Sequence, residues 1–368
     1  MAHARRAVED LGLNAMPNAS FWAGRRVLLT GHTGFKGSWA WAWLNSMGAQ
    51  VTGLALAPET SPALADLLGI GGDPRSLIGD IRRHCVVAEA VEKAQPQIVL
   101  HMAAQALVRR SYVEPVETFD TNVMGTLHLL QALRTAPGLE VCLVITSDKV
   151  YENDGSGRAY IETDPLGGSD VYSASKGACE IAVSSFARSY FSRGPAVVAT
   201  ARAGNVIGGG DWSADRIVPD LWRARQARQP VSLRYPEATR PWQHVLEPIA
   251  GYLDFVEALA AGSPERALNF GPLADAPITV RELAEAFQRA YGDPAWSGWT
   301  KAPGEHPKEA ATLGIDSRRA VAALPWRPRL GAADAVRWTA GWYAAYDRGE
   351  DMSAFTMNQI HAYAERAA

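Results

Sequence analysis

The sequence predicts an α/β fold, a doubly wound parallel sheet followed by a smaller C-terminal lobe. Three observations lead there. Short apolar runs recur with helix-length segments between them. Each run is nearly continuous rather than alternating, as expected for strands covered on both faces. The first run leads directly into a glycine-rich turn.

Residues 26–30 (RVLLT) form the first run, and the stretch through Trp39, Trp41, Trp43, Leu44 and Met47 has helical length and stops at Gly48. QVTGLAL (50–56) reads as a second strand. IVLHMA (98–103), VCLVITS (141–147) and AVVATARAG (196–204) continue the series, with helix-length segments at 116–135 and 173–191. A βαβαβ order of this kind implies a Rossmann-type sheet with ligands outside the carboxyl ends of its strands. After about residue 207 Pro, Trp and Gly become frequent (GGGDW, YPEATRPWQH, APGEHPKEA, LPWRPRL), as in a loop-rich lobe. The expected division is a loosely ordered extension over 1–19 and a dinucleotide-binding half over 20–207 with a return segment near 240–270. A substrate lobe mainly over 208–350 and a tail over 351–368 complete it. The three tryptophans at 39, 41 and 43 have no polar company and read as core or subunit contacts.

With 368 residues, 47% hydrophobic and 20% charged, the chain is long enough for a large core or two joined domains. A formal net charge of -3 argues against a nucleic-acid partner. Cys85, Cys142 and Cys179 lack CxxC spacing, so neither a disulfide framework nor a zinc site is expected, and no other cluster has metal spacing. No apolar stretch approaches the roughly 20 residues of a membrane span. After Arg5 and Arg6 the chain is broken by Glu9, Asp10, Asn14 and Pro17, unlike a secretory signal. A soluble, cytoplasmic protein is the expectation.

Glycines 31, 34 and 37 form GxxGxxG between a strand and a helix. That context suits a pyrophosphate drawn to free N–H groups at a helix N-terminus, and argues against a plain glycine turn. Gly31, Thr33, Gly34, Phe35, Lys36 and Gly37 are therefore cofactor candidates. The acidic residue usual at the end of the second strand is missing: Leu54-Ala55-Leu56-Ala57 stands there, and Glu59 comes late. No arginine offers itself to a 2′-phosphate, which favours NAD over NADP. Asp80 and Ile81, after a third strand, are candidates for the adenine end, with a surface loop nearly as good a reading.

Tyr172 and Lys176 form YxxxK at a helix start, and four-residue spacing puts them on one face. A neighbouring ammonium and a positive nicotinamide ring are expected to lower the phenol from its ordinary ~10, so that it can take a proton from a sugar hydroxyl.

These motifs resemble the extended short-chain dehydrogenase/reductases from about Phe21 to about Tyr346, and within them the nucleotide-sugar 4,6-dehydratases of the CDP-glucose branch. The stretches that carry the resemblance are FWAGRRVLLTGHTGFKGSWAWAWL, HMAAQALVRRSY, TNVMGTLHLL, ITSDKVYEN, VYSASKGACE, ARAGNVIGGGDWSADRIVPD, RPWQHVLEP and GEHPKEA. The resemblance implies a homodimer or homotetramer acting on CDP-glucose in deoxysugar synthesis, of the kind that feeds lipopolysaccharide O-antigen. It implies that Ala103, Ala104, Gln105 and Asn122 join the cofactor set and Arg109 the substrate set.

Other 4,6-dehydratases carry Thr-Asp-Glu where this chain has Ser147-Asp148-Lys149. Carried over, Ser147 orients the sugar 4-hydroxyl, Asp148 protonates the departing 6-hydroxyl, and Lys149 replaces the glutamate base. Lys149 acts as base only if neutral; otherwise it stabilises enolate charge, and the sequence leaves both open. The implied reaction oxidises C4, loses water across C5–C6 and returns hydride to C6. At the nucleotide end the resemblance implies Asn205, Gly210, Arg216, Arg240, His244, His306 and Glu309. Trp242 reads rather as lobe packing, and His244 equally well as a structural histidine. A 4-epimerase or decarboxylase would need Tyr172 and Lys176 but not the triplet. A non-catalytic nucleotide-sugar or NAD(H)-sensing protein would typically have lost the tyrosine or the lysine.

Overall fold

In the computed structural model, which describes residues 16–272, 278–293, 295–296, 298–304 and 314–366, the apolar runs pair as one sheet. Its strands are β1 (Arg26–Thr30), β2 (Gln50–Ala55), β3 (Ser76–Ile78), β4 (Ile98–His101), β5 (Val141–Ile145), β6 (Val197–Ala203) and β7 (Ala267–Phe270). The order is β7-β6-β5-β4-β1-β2-β3, every pair parallel. The order reverses at β1, with β2 on one side and β4 on the other, which opens a crevice at the carboxyl ends there.

Two-residue alternation divides the sheet's side chains. Val27 and Leu29 of β1 join the larger apolar cluster with α1 (Phe35–Ser46) and α4 (Leu246–Ala260). Leu28 faces the other way, into a cluster with α2 (His84–Ala94) and the helix Thr126–Leu133. α3 (Val171–Phe186) covers the same face through Cys179 and Val183. Each such Leu or Val contributes ~1.5–3 kcal/mol over an exposed one. Trp39, Trp41 and Trp43 are buried in α1.

The single helix expected over 116–135 is interrupted. Pro115–Phe119 passes into a π-helical stretch, Asp120–Gly125, before Thr126–Leu133. The lobe is built from Ile217–Gln226, α5 (Val280–Tyr291), α6 (Ala332–Asp347) and small two-stranded pairings. Its core, with Trp212, Phe287, Trp342 and Tyr343, is continuous with that of the sheet.

Of the segments set aside as extension and tail, the described residues 16–19 and 351–366 are packed. Asn18 accepts a hydrogen bond from Ser20 N, and its own N–H donates to Glu257 at 2.7 Å. Residues 352–365 form α7 (Met352–Glu365), capped by Asp351, with Tyr363 donating to Glu247 at 2.8 Å. The polar residues that make this segment look like a tail are buried on partners: Thr356 accepts from the Trp342 indole and Gln359 donates to Trp338 O.

Among the described residues no helix is long and apolar enough to cross a membrane, and no group of His, Cys, Asp or Glu could hold a metal ion.

Candidate active site

A cleft of about 920 Å³ runs along the carboxyl ends of the strands and beneath the lobe. The turn after β1 forms its floor. Gly31 has φ +77, and a Cβ there would lie 2.8 Å from Ala103 N. A Cβ on Gly37 would lie 2.0 Å from Gly31 O, so turn and helix close on each other only through glycine. Gly34 caps α1 without a side chain. The first N–H groups of the helix therefore face the cleft with no side-chain acceptor, a cradle that fits a pyrophosphate.

Thr33, Phe35 and Lys36 line the cleft beside these glycines, with Asp80, Ile81, Ala103, Ala104 and Gln105 further along. Asp80 is forked by Arg82 at 2.6–3.1 Å, and those hydrogen bonds hold its carboxyl below the usual range. Glu59, the late acid, also lines the cleft but is engaged by Arg110 at 2.8 Å.

Asn122 differs from the expectation. It lies behind the wall, 1% exposed. Its Oδ1 accepts from Gln105 N at 2.8 Å, and its Nδ2 donates to Gln105 O and Ser175 Oγ. It positions the cofactor wall rather than forming it. Thr30, His101 and Thr126, which no motif singled out, do the same at the floor. The Thr30 hydroxyl accepts from Met102 N and Ala103 N and bonds His101 Nδ1 at 2.7 Å. His101 Nε2 meets Thr126 at 2.9 Å, and burial pushes the imidazole down to about 3, so it is neutral.

The YxxxK pair and the triplet meet in the same cleft. Asp170 caps α3, which brings Tyr172 and Lys176 to the wall, 8% and 5% exposed. Ser147 Oγ donates to Asp148 Oδ1 at 3.0 Å. The other oxygen, Asp148 Oδ2, finds no hydrogen bond among the described residues, nor does Asn205 Nδ2 nearby in the lining. Burial raises the Asp148 carboxyl above its ordinary value, against the pull of Lys149, Ser147, Lys36 and Arg240. A group so placed keeps its proton to higher pH and can donate it.

Tyr172 is pulled both ways by its surroundings. Burial pushes its phenol up to about 12, with the Ser147 hydroxyl pulling the other way. Lys176 is itself lowered by burial. The desolvation cost outweighs the neighbouring cations in the chain alone. Lys36, expected only at the cofactor, carries its ammonium among Arg216, Lys176, Asp148 and Asp211, and burial with those cations pushes it down to about 8.

On the lobe side Asn205, Gly210, Arg216 and Arg240 line the cleft. Arg216 pairs with Asp211 at 2.9 Å, and Arg240 donates to Thr239 O at 2.8 Å. Arg109 reaches across to Asp215 at 2.7 Å, a carboxylate that Arg234 shares at 3.2 Å.

His244 corrects the expectation of a nucleotide contact. It is fully buried, packed between Trp39 and Trp338 at ring distances of 5.9 and 5.7 Å, and burial pushes it down to about 3. Its strand has by then passed under α1 and α6. Trp242 stays at the cleft edge while joining the core. His306 and Glu309 lie outside the described residues.

This is the architecture of a nucleotide-binding α/β enzyme with a YxxxK site. The NAD dependent epimerase/dehydratase family matches residues 27–271, and the chain belongs to that family. It is 42% identical over 357 residues, 95% of this chain and 98% of the relative, to a CDP-glucose 4,6-dehydratase of Salmonella typhimurium. It is 25% identical over 88% of its length, and 99% of the relative, to a UDP-glucose 4-epimerase of Erwinia amylovora. Among solved structures, the Thermus thermophilus UDP-glucose 4-epimerase in complex with NAD is 27% identical at TM-score 0.71, over 86% of this chain and 98% of that one. A dTDP-glucose 4,6-dehydratase of Streptomyces venezuelae shares the fold at TM-score 0.73 and 24% identity, over 88% and 98%.

Proposed function

We propose that the chain converts CDP-glucose to CDP-4-dehydro-6-deoxyglucose and water. The observation that supports this most is a single one: Tyr172 and Lys176 share a cleft with Ser147, Asp148 and Lys149. The first pair suits proton removal from a sugar hydroxyl, and the triplet suits water loss at the neighbouring carbons. NAD, when bound on the glycine turn, supplies a hydride acceptor for C4 and donor for C6, and a positive ring that favours the phenolate.

Tyr172 takes the proton of the 4-hydroxyl, with Lys176 and Ser147 beside it. Asp148, whose carboxyl burial raises, gives its proton to the departing 6-hydroxyl. Lys149 stands where related dehydratases carry glutamate, either as base for H5 or as the cation facing the enolate. Arg109, Arg216 and Arg240 are suited to the diphosphate, with guanidinium forks for its oxygens, and Asn205 offers an amide with no partner among the described residues. The 42% identity to a protein named CDP-glucose 4,6-dehydratase supports the choice of nucleotide. The reading includes a dinucleotide-binding half over 20–207 and a substrate lobe mainly over 208–350. It also includes a cytoplasmic homodimer or homotetramer feeding deoxysugar synthesis for O-antigen. A 4-epimerase on this fold would leave the buried acid Asp148 without work.

The test is incubation with NAD and CDP-glucose, with dTDP-glucose and UDP-glucose in parallel, followed by mass spectrometry and NMR of the sugar. Loss of one water with a ketone at C4, fastest from CDP-glucose, is the expected result. A C4 epimer of unchanged mass would overturn the proposal.

A further inference from the structure

Behind the cleft, one buried ion pair grips the chain on both sides of the triplet. Glu180 stands one helical turn past Lys176 on α3, and Arg202 on β6, each side chain 4% exposed. Arg202 Nε donates to Glu180 Oε1 and Nη2 to Oε2, both at 2.9 Å, a guanidinium fork. On the near side of the triplet, Thr146 Oγ1 donates to Glu180 Oε1 at 2.5 Å. On the far side, Arg202 Nη1 donates to the Tyr151 hydroxyl at 2.7 Å, and that hydroxyl donates to Asn269 Oδ1 at 2.7 Å. Thr200 Oγ1 donates to Glu180 Oε2 at 2.8 Å, so the carboxylate accepts four hydrogen bonds and its capacity is filled. Neither Glu180 nor Arg202 lines the cleft, so neither touches a molecule bound there.

We propose that the Glu180–Arg202 pair is a positioning device that holds Ser147-Asp148-Lys149 in register with Tyr172. The proposal rests on the reading of that triplet as the acid–base set for water loss. The pair is rooted on the helix that carries Tyr172 and Lys176, and it reaches residues 146 and 151, the flanks of the short 3₁₀ turn Asp148–Val150. A buried ion pair is a poor source of net stability, because desolvation offsets its attraction. A filled, forked network does fix geometry, and acid–base chemistry at two adjacent carbons requires fixed geometry. Among the described residues, Asp148 has one side-chain hydrogen bond, from Ser147, and its second oxygen has no partner. Its placement therefore depends on how the backbone around it is held.

Removing Glu180 or Arg202 would strand a buried charge and threaten folding, so the test uses near-isosteric changes that leave the ion pair intact. Thr146→Val and Tyr151→Phe each delete one hydroxyl on one flank, and Thr146→Ser retains the hydroxyl. With CDP-glucose, kcat should fall roughly 10–100-fold for Thr146→Val and for Tyr151→Phe, the scale of a misplacement near 1 Å. KM and the positions of the pH limbs should stay as in the wild type, the thermal midpoint should fall only by the few degrees that a lost buried hydrogen bond costs, and Thr146→Ser should recover most of the rate. Wild-type kcat in both variants overturns the proposal. So does a loss confined to KM, a loss that follows the thermal midpoint, or failure of Thr146→Ser to recover the rate. If the wild-type chain removes no water from CDP-glucose in the same assay, the reading of the triplet fails first, and that outcome is distinct from active variants beside an active wild type.

Discussion

Gly204→Ala places a methyl group against the proposed acid with little room to escape. An ideal Cβ at 204 lies 2.2 Å from Asp148 Oδ2, 2.7 Å from its Cγ and 3.2 Å from its Cβ. Ordinary contact lies near 3.5 Å or beyond, so the carboxyl must shift by at least about 1 Å. Asp148 is short and 2% exposed, and its own backbone enters the 3₁₀ turn, so the shift is taken by rotation away from Ser147. Overpacking of this size costs typically 1–3 kcal/mol, which a chain with so extensive a core tolerates. A displacement of about 1 Å at a reacting group costs on the order of 10²-fold in rate. The expected result is a folded protein with kcat for water loss reduced about 100-fold and KM for CDP-glucose little changed. Steady-state kinetics on the purified variant, beside a thermal melt, measure both. A Gly204→Ala protein with wild-type kcat would mean that Asp148 is not the proton donor, whatever its burial.

Four further outcomes are expected. Tyr172→Phe lowers turnover roughly 10²–10⁴-fold, the usual scale for a lost general base, and leaves NAD binding by calorimetry intact. Lys149→Met leaves C4 oxidation but stalls water loss, so enzyme-bound NADH accumulates in the absorbance of the purified variant mixed with CDP-glucose. Lys36→Met removes a cation that holds the Asp148 carboxyl down, so the limb on which activity fades with rising pH moves upward in the pH–rate profile. Glu247 is raised by burial from 4.5 to about 7, so its folded form binds the proton more tightly and stability declines as pH rises through that window. Glu247→Gln should flatten the wild-type decline by ~1.4 kcal/mol per pH unit between about 4.5 and 7, read from denaturant melts.

The sheet was legible because its strands are buried on both faces, which leaves an apolar run such as RVLLT or VCLVI with no alternation to obscure it. The glycine turn was legible for a different reason: close backbone approach admits only glycine at 31 and 37, and that constraint is written in the residues themselves. What stayed hidden depends on partners distant in sequence. Nothing around His101 announces that Thr30 and Thr126 close on its two nitrogens. α7 reads as a tail because Thr356, Gln359 and Tyr363 find polar partners only in the folded core. His244 invited a ligand role beside Arg240, yet the turn at 241–242 carries the chain on from the cleft to the core. Spacing likewise reveals which charges neighbour Tyr172 but not how deeply it is buried, and burial raises its phenol.

α4 carries two acids, Glu247 buried and Glu257 half-buried, that are satisfied from distant parts of the chain. Glu257 takes the Asn18 N–H and the Trp22 indole, while ten residues earlier Glu247 takes the N–H groups of Arg329 and Leu330 and the Tyr363 hydroxyl. The two anchor points lie about 15 Å apart along one helix. During vectorial synthesis, a nascent chain that has already released every strand of the sheet still lacks the groups that close this face. Until residues 329–363 emerge, Glu247 must stay hydrated, so the helix remains loosely seated and apolar surface on the sheet stays open to solvent. Completion of the nucleotide-binding half is thereby deferred until residues 329–363 have been made, so a chain cut before Arg329 keeps this face open although it retains the described residues of the cleft.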